Sequence, residues 1–170
     1  RDLGYHRLKD LERPERIYQM IAQGLPQDFP PLKTLDAHPN NLPVSLTSFI
    51  GRESELKEVE DMLTSTRLLT LSGPGGVGKT RLALQVAAHC LEEYQDGVYY
   101  VPLAAVAIPD HIVPSIAGAI KFNFDTHMGI EDTKLQLLEY LKDRNLLLLL
   151  DNFEQLVEGA DLLVDILQGA

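Results

Sequence analysis

The stretch LSGPGGVGKTRLAL, residues 71–84, constrains the fold more than any other part of the chain. Four glycines, Gly73, Gly75, Gly76 and Gly78, fall within six positions. Glycine loses more backbone freedom on folding than any other residue, so such a cluster belongs where bare backbone is needed. Immediately after it, Leu82, Val86, Ala87 and Leu91 recur at helical spacing and predict a helix over 79–94. Immediately before it, RLLTLSG at 67–73 is a short apolar run that reads as a buried strand. Between them, Gly73, Pro74, Gly75, Gly76, Val77, Gly78, Lys79 and Thr80 satisfy G-x-x-x-x-G-K-[ST] in full. Successive N–H groups of such a loop form a concavity that holds phosphate, and the helix behind it turns its positive end to the same anion. Lys79 then reaches the β- and γ-phosphates of a nucleotide and Thr80 offers its hydroxyl to Mg²⁺. Arg81, next along, is counted with the nucleotide-binding residues.

A phosphate loop of this type needs a carboxylate that positions Mg²⁺ by way of water. LLLLLD at 146–151 supplies one: Asp151 follows five leucines and would emerge at the carboxyl edge of a buried strand, where ligands bind in open α/β sheets. GVYYVPLA at 97–104 reads as a further strand, and helices are expected within SFIGRESELKEVEDMLTS at 48–65, over 110–121 and 131–143, and from about Glu154 onward. In the first of these Leu56, Val59 and Leu63 form the apolar stripe, and Pro114 falls in the first turn of the second. Apolar strands alternating with helices predict an α/β fold, a P-loop NTPase whose parallel sheet is covered by helices on both faces.

Three parts follow along the chain. Residues 1–23 read as a hairpin, with strands around GYHRL and RIYQMIA. Residues 24–47 hold Pro26, Pro30, Pro31, Pro39 and Pro43, a density that excludes helix and central strand and predicts an extended linker. Residues 48–170 are the nucleotide-binding part. The chain opens without Met and closes inside an apolar-periodic helix, so it reads as an excerpt ending after the Asp151 strand and the following helix.

Charge and composition narrow the partners. A net charge of −10 argues against nucleic-acid binding by this segment, because phosphate neutralisation needs a basic face. The single cysteine, Cys90, excludes an internal disulfide and reads as a small buried hydrophobe in a reducing, cytoplasmic setting. No apolar run is long enough to span a membrane, and the charged N-terminus has no signal-peptide core.

FIGRE about twenty residues before the glycine loop, GPGGVGKTRLA, and LLLLLDNFEQL together resemble the STAND signalling ATPases, in particular the NB-ARC-like (AP-ATPase) modules of multidomain bacterial regulators. The resemblance covers about 42–170. It implies an ATP/ADP switch with Mg²⁺, other domains of the same chain (winged-helix or repeat domains downstream) as partners, and nucleotide-dependent oligomerisation. It places Phe49, Ile50, Gly51 and Arg52 at the adenine and ribose end of the nucleotide; by chemistry alone, Arg52 equally suits a helix-capping position. Rival readings are an energy-transducing ATPase, a loader or motor, and a regulatory segment of a nucleotide cyclase. The last arises because residues 3–36 resemble the closing hairpin and following linker of class III adenylyl/guanylyl cyclases fused to such ATPases. In related folds a sensor-bearing strand lies between the glycine-loop strand and the Asp151 strand. Here 67–73 and 146–151 are expected to flank an empty slot or to pair directly.

The chain departs from many of these relatives after Asp151. Where they carry a second acid, this sequence has Asn152, whose amide holds water but accepts no proton. Glu154 is the nearest carboxylate, either placed toward the γ-phosphate with Asn152 assisting, or simply complementing a helix N-terminus.

Overall fold

The computed structural model describes residues 1–8, 11, 13–22, 24, 25, 27–30, 32, 34–43, 51–125 and 133–169. Phe49 and Ile50 therefore lie outside the described residues. The N-terminal hairpin pairs β1 (Asp2–His6) with β2 (Glu15–Tyr18) in antiparallel register, Gly4 opposite Ile17 and His6 opposite Glu15. Arg16 closes it, bonding Asp2 at 2.6 Å and lying over the rings of Tyr5 and Tyr18. Arg16, and then the Gly4 amide, hold the Asp2 carboxyl below its ordinary value.

The nucleotide-loop region is built on two parallel strands, β3 (Gly97–Pro102) and β4 (Leu146–Asp151). Their register runs without a break from Gly97 opposite Leu146 to Pro102 opposite Asp151. Side chains alternate across a strand, so each strand feeds both faces. Tyr99, Val101, Leu146, Leu148 and Leu150 turn to a core completed by α3 (Ile112–Ala119), α4 (Thr133–Leu141) and α5 (Asp161–Gly169). Ile112, Ile116 and Leu137 in that core are fully buried, each contributing about 1.5–3 kcal/mol of hydrophobic stabilisation. Val98, Tyr100 and Leu147 turn to the other face and pack with Ala87 and Leu91 of the segment that carries α2 (Lys79–His89). The expected parallel sheet with helices on both faces is thus present, two strands wide among the described residues. α1 (Glu53–Leu63) lies on α2, with Leu56 and Val59 against Leu82, Val86 and Cys90.

Several expectations are corrected. Residues 67–73 form no strand. Leu69 and Leu71 pack against the α1–α2 core and Leu68 and Thr70 point outward, so burial alternates as in a strand. Among the described residues no neighbouring strand supplies the ladder. Direct pairing with β4 does not occur, and β4 is half-buried at every position rather than sealed.

The helix expected from Glu154 begins only at Asp161, after two short 3-10 turns at Phe153–Gln155 and Val157–Gly159. Leu156 explains the break: at φ −121° it leaves helical geometry and sinks its side chain into the core. Gln155 beside it donates to the carbonyls of Leu103, Ala104 and Val106, pinning this corner to the segment that leaves β3.

α2 stops at His89, with Cys90–Glu92 tightening to 3-10. The end of the proline-rich stretch is more than a spacer. Val98 donates to the Pro39 carbonyl, Asn40 bridges Val98 in parallel sense, and Leu42 is buried.

Candidate functional site

The glycine loop reaches α2 through Gly78, which sits in the left-handed region at φ 86° and precedes the first helical residue. The Leu82 amide bonds the Gly78 carbonyl, so the amides of the first turn before it have no acceptor within the helix. No side chain caps them and no acid lies in that turn. Gly76, at φ 77°, needs glycine for its backbone. Gly75 does not: it has no positive φ, and a Cβ built there meets nothing within 4 Å. Nothing among the described residues demands glycine at 75.

Lys79 folds back across this mouth, its ammonium donating to the carbonyls of Gly73 at 2.8 Å and Pro74 at 3.0 Å. The long side chain is thus held by two loop carbonyls. Arg81 is exposed one residue beyond Thr80.

Thr80, in the first turn of α2, donates its hydroxyl to Asp151 Oδ1 at 2.7 Å. Residues 71 positions apart in sequence are thereby joined, the hydroxyl from the helix and the carboxylate from the end of β4. Pleat parity explains the meeting. Asp151 and Leu147 share the α2 side of the sheet, and α2 starts beside the strand's carboxyl end.

A third group completes the cluster, and no motif pointed to it. Tyr100 of β3, two residues before the partner of Asp151 and therefore on the same face, donates its hydroxyl to Asp151 Oδ2 at 3.0 Å. Burial first, and then the Asp151 carboxylate, raise the Tyr100 phenol above its ordinary value, so it stays protonated and donates. The Tyr100 backbone is itself clamped. Its amide donates to Asn41 Oδ1 at 2.6 Å and its carbonyl accepts from Asn41 Nδ2 at 2.8 Å. The only sequence signal for Tyr100 was its parity within the strand.

Arg52 stands at the N-cap of α1 in the left-handed region, φ 75°, with no side-chain cap bond. It reaches instead to the loop, its guanidinium donating to the Val77 carbonyl at 2.9 Å and to Glu55 at 3.1 Å. Gly51 before it also has positive φ, 73°. Arg52 is thus brought to the glycine loop, whereas the capping alternative finds no bond.

Asn152 adopts the left-handed conformation at φ 64°, a region that asparagine tolerates better than most residues. Its side-chain amide donates to Glu154 Oε1 at 3.3 Å, and Glu154 is exposed. Among the described residues that amide is the partner of Glu154, and no loop residue is.

The set suits a magnesium nucleotide: the uncapped first turn of α2, the Lys79 ammonium, the Thr80 hydroxyl and the Asp151 carboxylate share one edge. Residues 48–168 match the profile of the AAA ATPase domain. An uncharacterized protein of Mycobacterium tuberculosis is 37% identical over 120 residues, which cover 71% of this chain and 30% of that protein. A second protein from that organism, provisionally named an HTH-type transcriptional regulator, is 36% identical over 109 residues, 64% of this chain and 12% of the relative. The regulatory protein AfsR of Streptomyces coelicolor is 31% identical over 165 residues, 82% of this chain and 16% of AfsR. The chain therefore spans less than a third of the length of these relatives. No solved structure matches it. With its glycine loop, α/β sheet and matched profile, the chain belongs to the AAA ATPase domain family and carries a P-loop NTPase fold.

Proposed function

We propose that this chain is the ATP/ADP-binding part of a slowly hydrolysing switch of the STAND type, within a protein that regulates transcription or another signalling output. The observation that carries this reading is the 2.7 Å contact between Thr80 and Asp151 beside a glycine loop crossed by Lys79. Backbone amides of Gly75 to Thr80 would hold the phosphates, with Lys79 on the β- and γ-oxygens. Thr80 and Asp151 would hold Mg²⁺, directly and by way of water, and the cation would neutralise charge developing on the transferred phosphate. Arg52 and Arg81 would flank the nucleotide.

Slow hydrolysis follows from Asn152. It offers an amide where a base would accept a proton, and Glu154 behind it is solvated. A site that binds well and turns over slowly keeps its nucleotide long enough for the bound state to bias a domain arrangement. The names of AfsR and the HTH-type relative favour a regulatory output. The N-terminal hairpin belongs, in this reading, to a cyclase-like domain before the switch, for which residues 1–23 carry no assignable catalytic group.

The test is Lys79→Ala in the full-length protein, followed by calorimetry with MgATP. Losing a charged partner of phosphate is expected to weaken affinity by at least about 30-fold, with the melting temperature unchanged. Unchanged affinity would overturn the assignment. Turnover then separates the switch from a motor: slow hydrolysis with retained nucleotide supports the switch, and rapid turnover stimulated by nucleic acid supports the motor.

A further inference from the structure

Resting on that nucleotide reading, we propose that Tyr100 is a positioning residue for Asp151, fixing the plane in which its carboxylate faces the cation site. A free aspartate rotates about its last torsion, so its carboxylate plane has no fixed tilt. Here each oxygen has its own donor from a different element: Oδ1 from Thr80 at 2.7 Å and Oδ2 from Tyr100 at 3.0 Å. With one oxygen held by the phenol, the other stays beside the Thr80 hydroxyl. Two donors at two oxygens leave the carboxylate plane a single orientation.

Such a device works only if the phenol is itself fixed, and three features fix it. Tyr100 lies inside the unbroken register of β3 with β4, opposite Leu149. Its ring packs in the core formed with Leu42, Ala87 and Leu91. Its amide and carbonyl, on the strand edge away from β4, are both taken by the Asn41 side chain. That side chain stands in for one rung of a missing ladder and keeps β3 from shifting along β4.

The experiment is a Mg²⁺ titration of the full-length protein, read by binding of a fluorescent ATP analogue, for wild type, Tyr100→Phe and Tyr99→Phe. Phenylalanine keeps the ring and removes only the donor. Tyr99 turns to the opposite face of the same strand and serves as the control. Tyr100→Phe is expected to raise the half-saturating Mg²⁺ about tenfold, the low end for losing a hydrogen bond to a charged group. Nucleotide affinity in EDTA is expected to stay within about twofold of wild type, with both quantities unchanged in Tyr99→Phe. An unchanged or lowered Mg²⁺ requirement in Tyr100→Phe overturns the proposal. So does an equal shift in Tyr99→Phe, or a loss seen equally in EDTA, since each marks general loosening of the strand. If wild type binds the analogue neither with Mg²⁺ nor in EDTA, the nucleotide reading itself falls and takes this role with it. If wild type binds normally and only the tyrosine prediction fails, the nucleotide reading stands.

Discussion

Gly75 separates what the fold requires from what a ligand requires. Gly76 and Gly78 have left-handed backbones, so alanine there is strained with or without nucleotide. Gly75 has room for a Cβ and no positive φ. Gly75→Ala is therefore expected to change unfolding free energy by less than about 0.5 kcal/mol, as an exposed substitution does. If phosphate needs the bare amide, the same change weakens ATP binding by tenfold or more, roughly the loss of one charge-assisted hydrogen bond. Urea denaturation and calorimetry on one preparation read both quantities, and a stable variant with wild-type affinity would show that the loop meets no phosphate at residue 75. At this scale the sequence was most legible where a motif fixes residue type and spacing: Gly73 to Thr80 and Asp151 fall together as their spacing implied. Tyr100 and Asn41 were not legible, because a tyrosine in a strand and an asparagine in a loop become informative only once register and pleat are known.

Elements were legible in proportion to their apolar periodicity. The stripes of α1 and α2 bury Leu56, Val59, Leu82, Val86 and Ala87 as read, and β3 and β4 begin at the expected residues. Residues 67–73 show the limit of that signal. Apolar content says that a segment is half-buried, whereas a strand also needs a neighbour to complete its ladder. The helix expected from Glu154 fails for a second reason, since Leu156 serves the core better by leaving helical geometry. Proline density likewise marked 24–47 as extended, but it missed the 3-10 turn at Leu35–Ala37 and could not show that residues 39–42 would lie on β3. Gly97 is where that docking is most exposed to a test. It sits at φ 108°, and an added Cβ would lie 2.4 Å from the Pro39 carbonyl oxygen. Both the backbone strain and this backbone clash oppose any side chain, so Gly97→Ala is expected to cost about 1–3 kcal/mol in chemical denaturation. It also displaces the rung made by Asn41, which hydrogen exchange at the Tyr100 amide reads directly: protection should fall in the variant. Retained protection would mean that the proline-rich segment and β3 are not coupled through Gly97.

For the chain as a whole, the described surfaces are incompletely covered. One edge of β4 pairs with β3 and the other carries no ladder among the described residues. Leu68 beside the glycine loop is half-exposed, as is Val164 on α5. In the N-terminal part Tyr5, Tyr18, Met20 and Phe29 are more exposed still. Unpaired strand edges with apolar flanks recruit other chains. Residues 1–170 expressed alone are therefore expected to associate reversibly, with a sedimentation coefficient that rises with concentration. Two surfaces compete as the cause. The hairpin offers exposed aromatics but its own two strands are already paired, whereas β4 has one edge that carries no ladder among the described residues. Backbone pairing is the more specific attraction, so association should persist when residues 1–23 are removed. A sharp thermal transition from a species that stays monomeric at all concentrations would show that the open edge of β4 is shielded. Loss of association on removing the hairpin would assign it to the exposed aromatics instead.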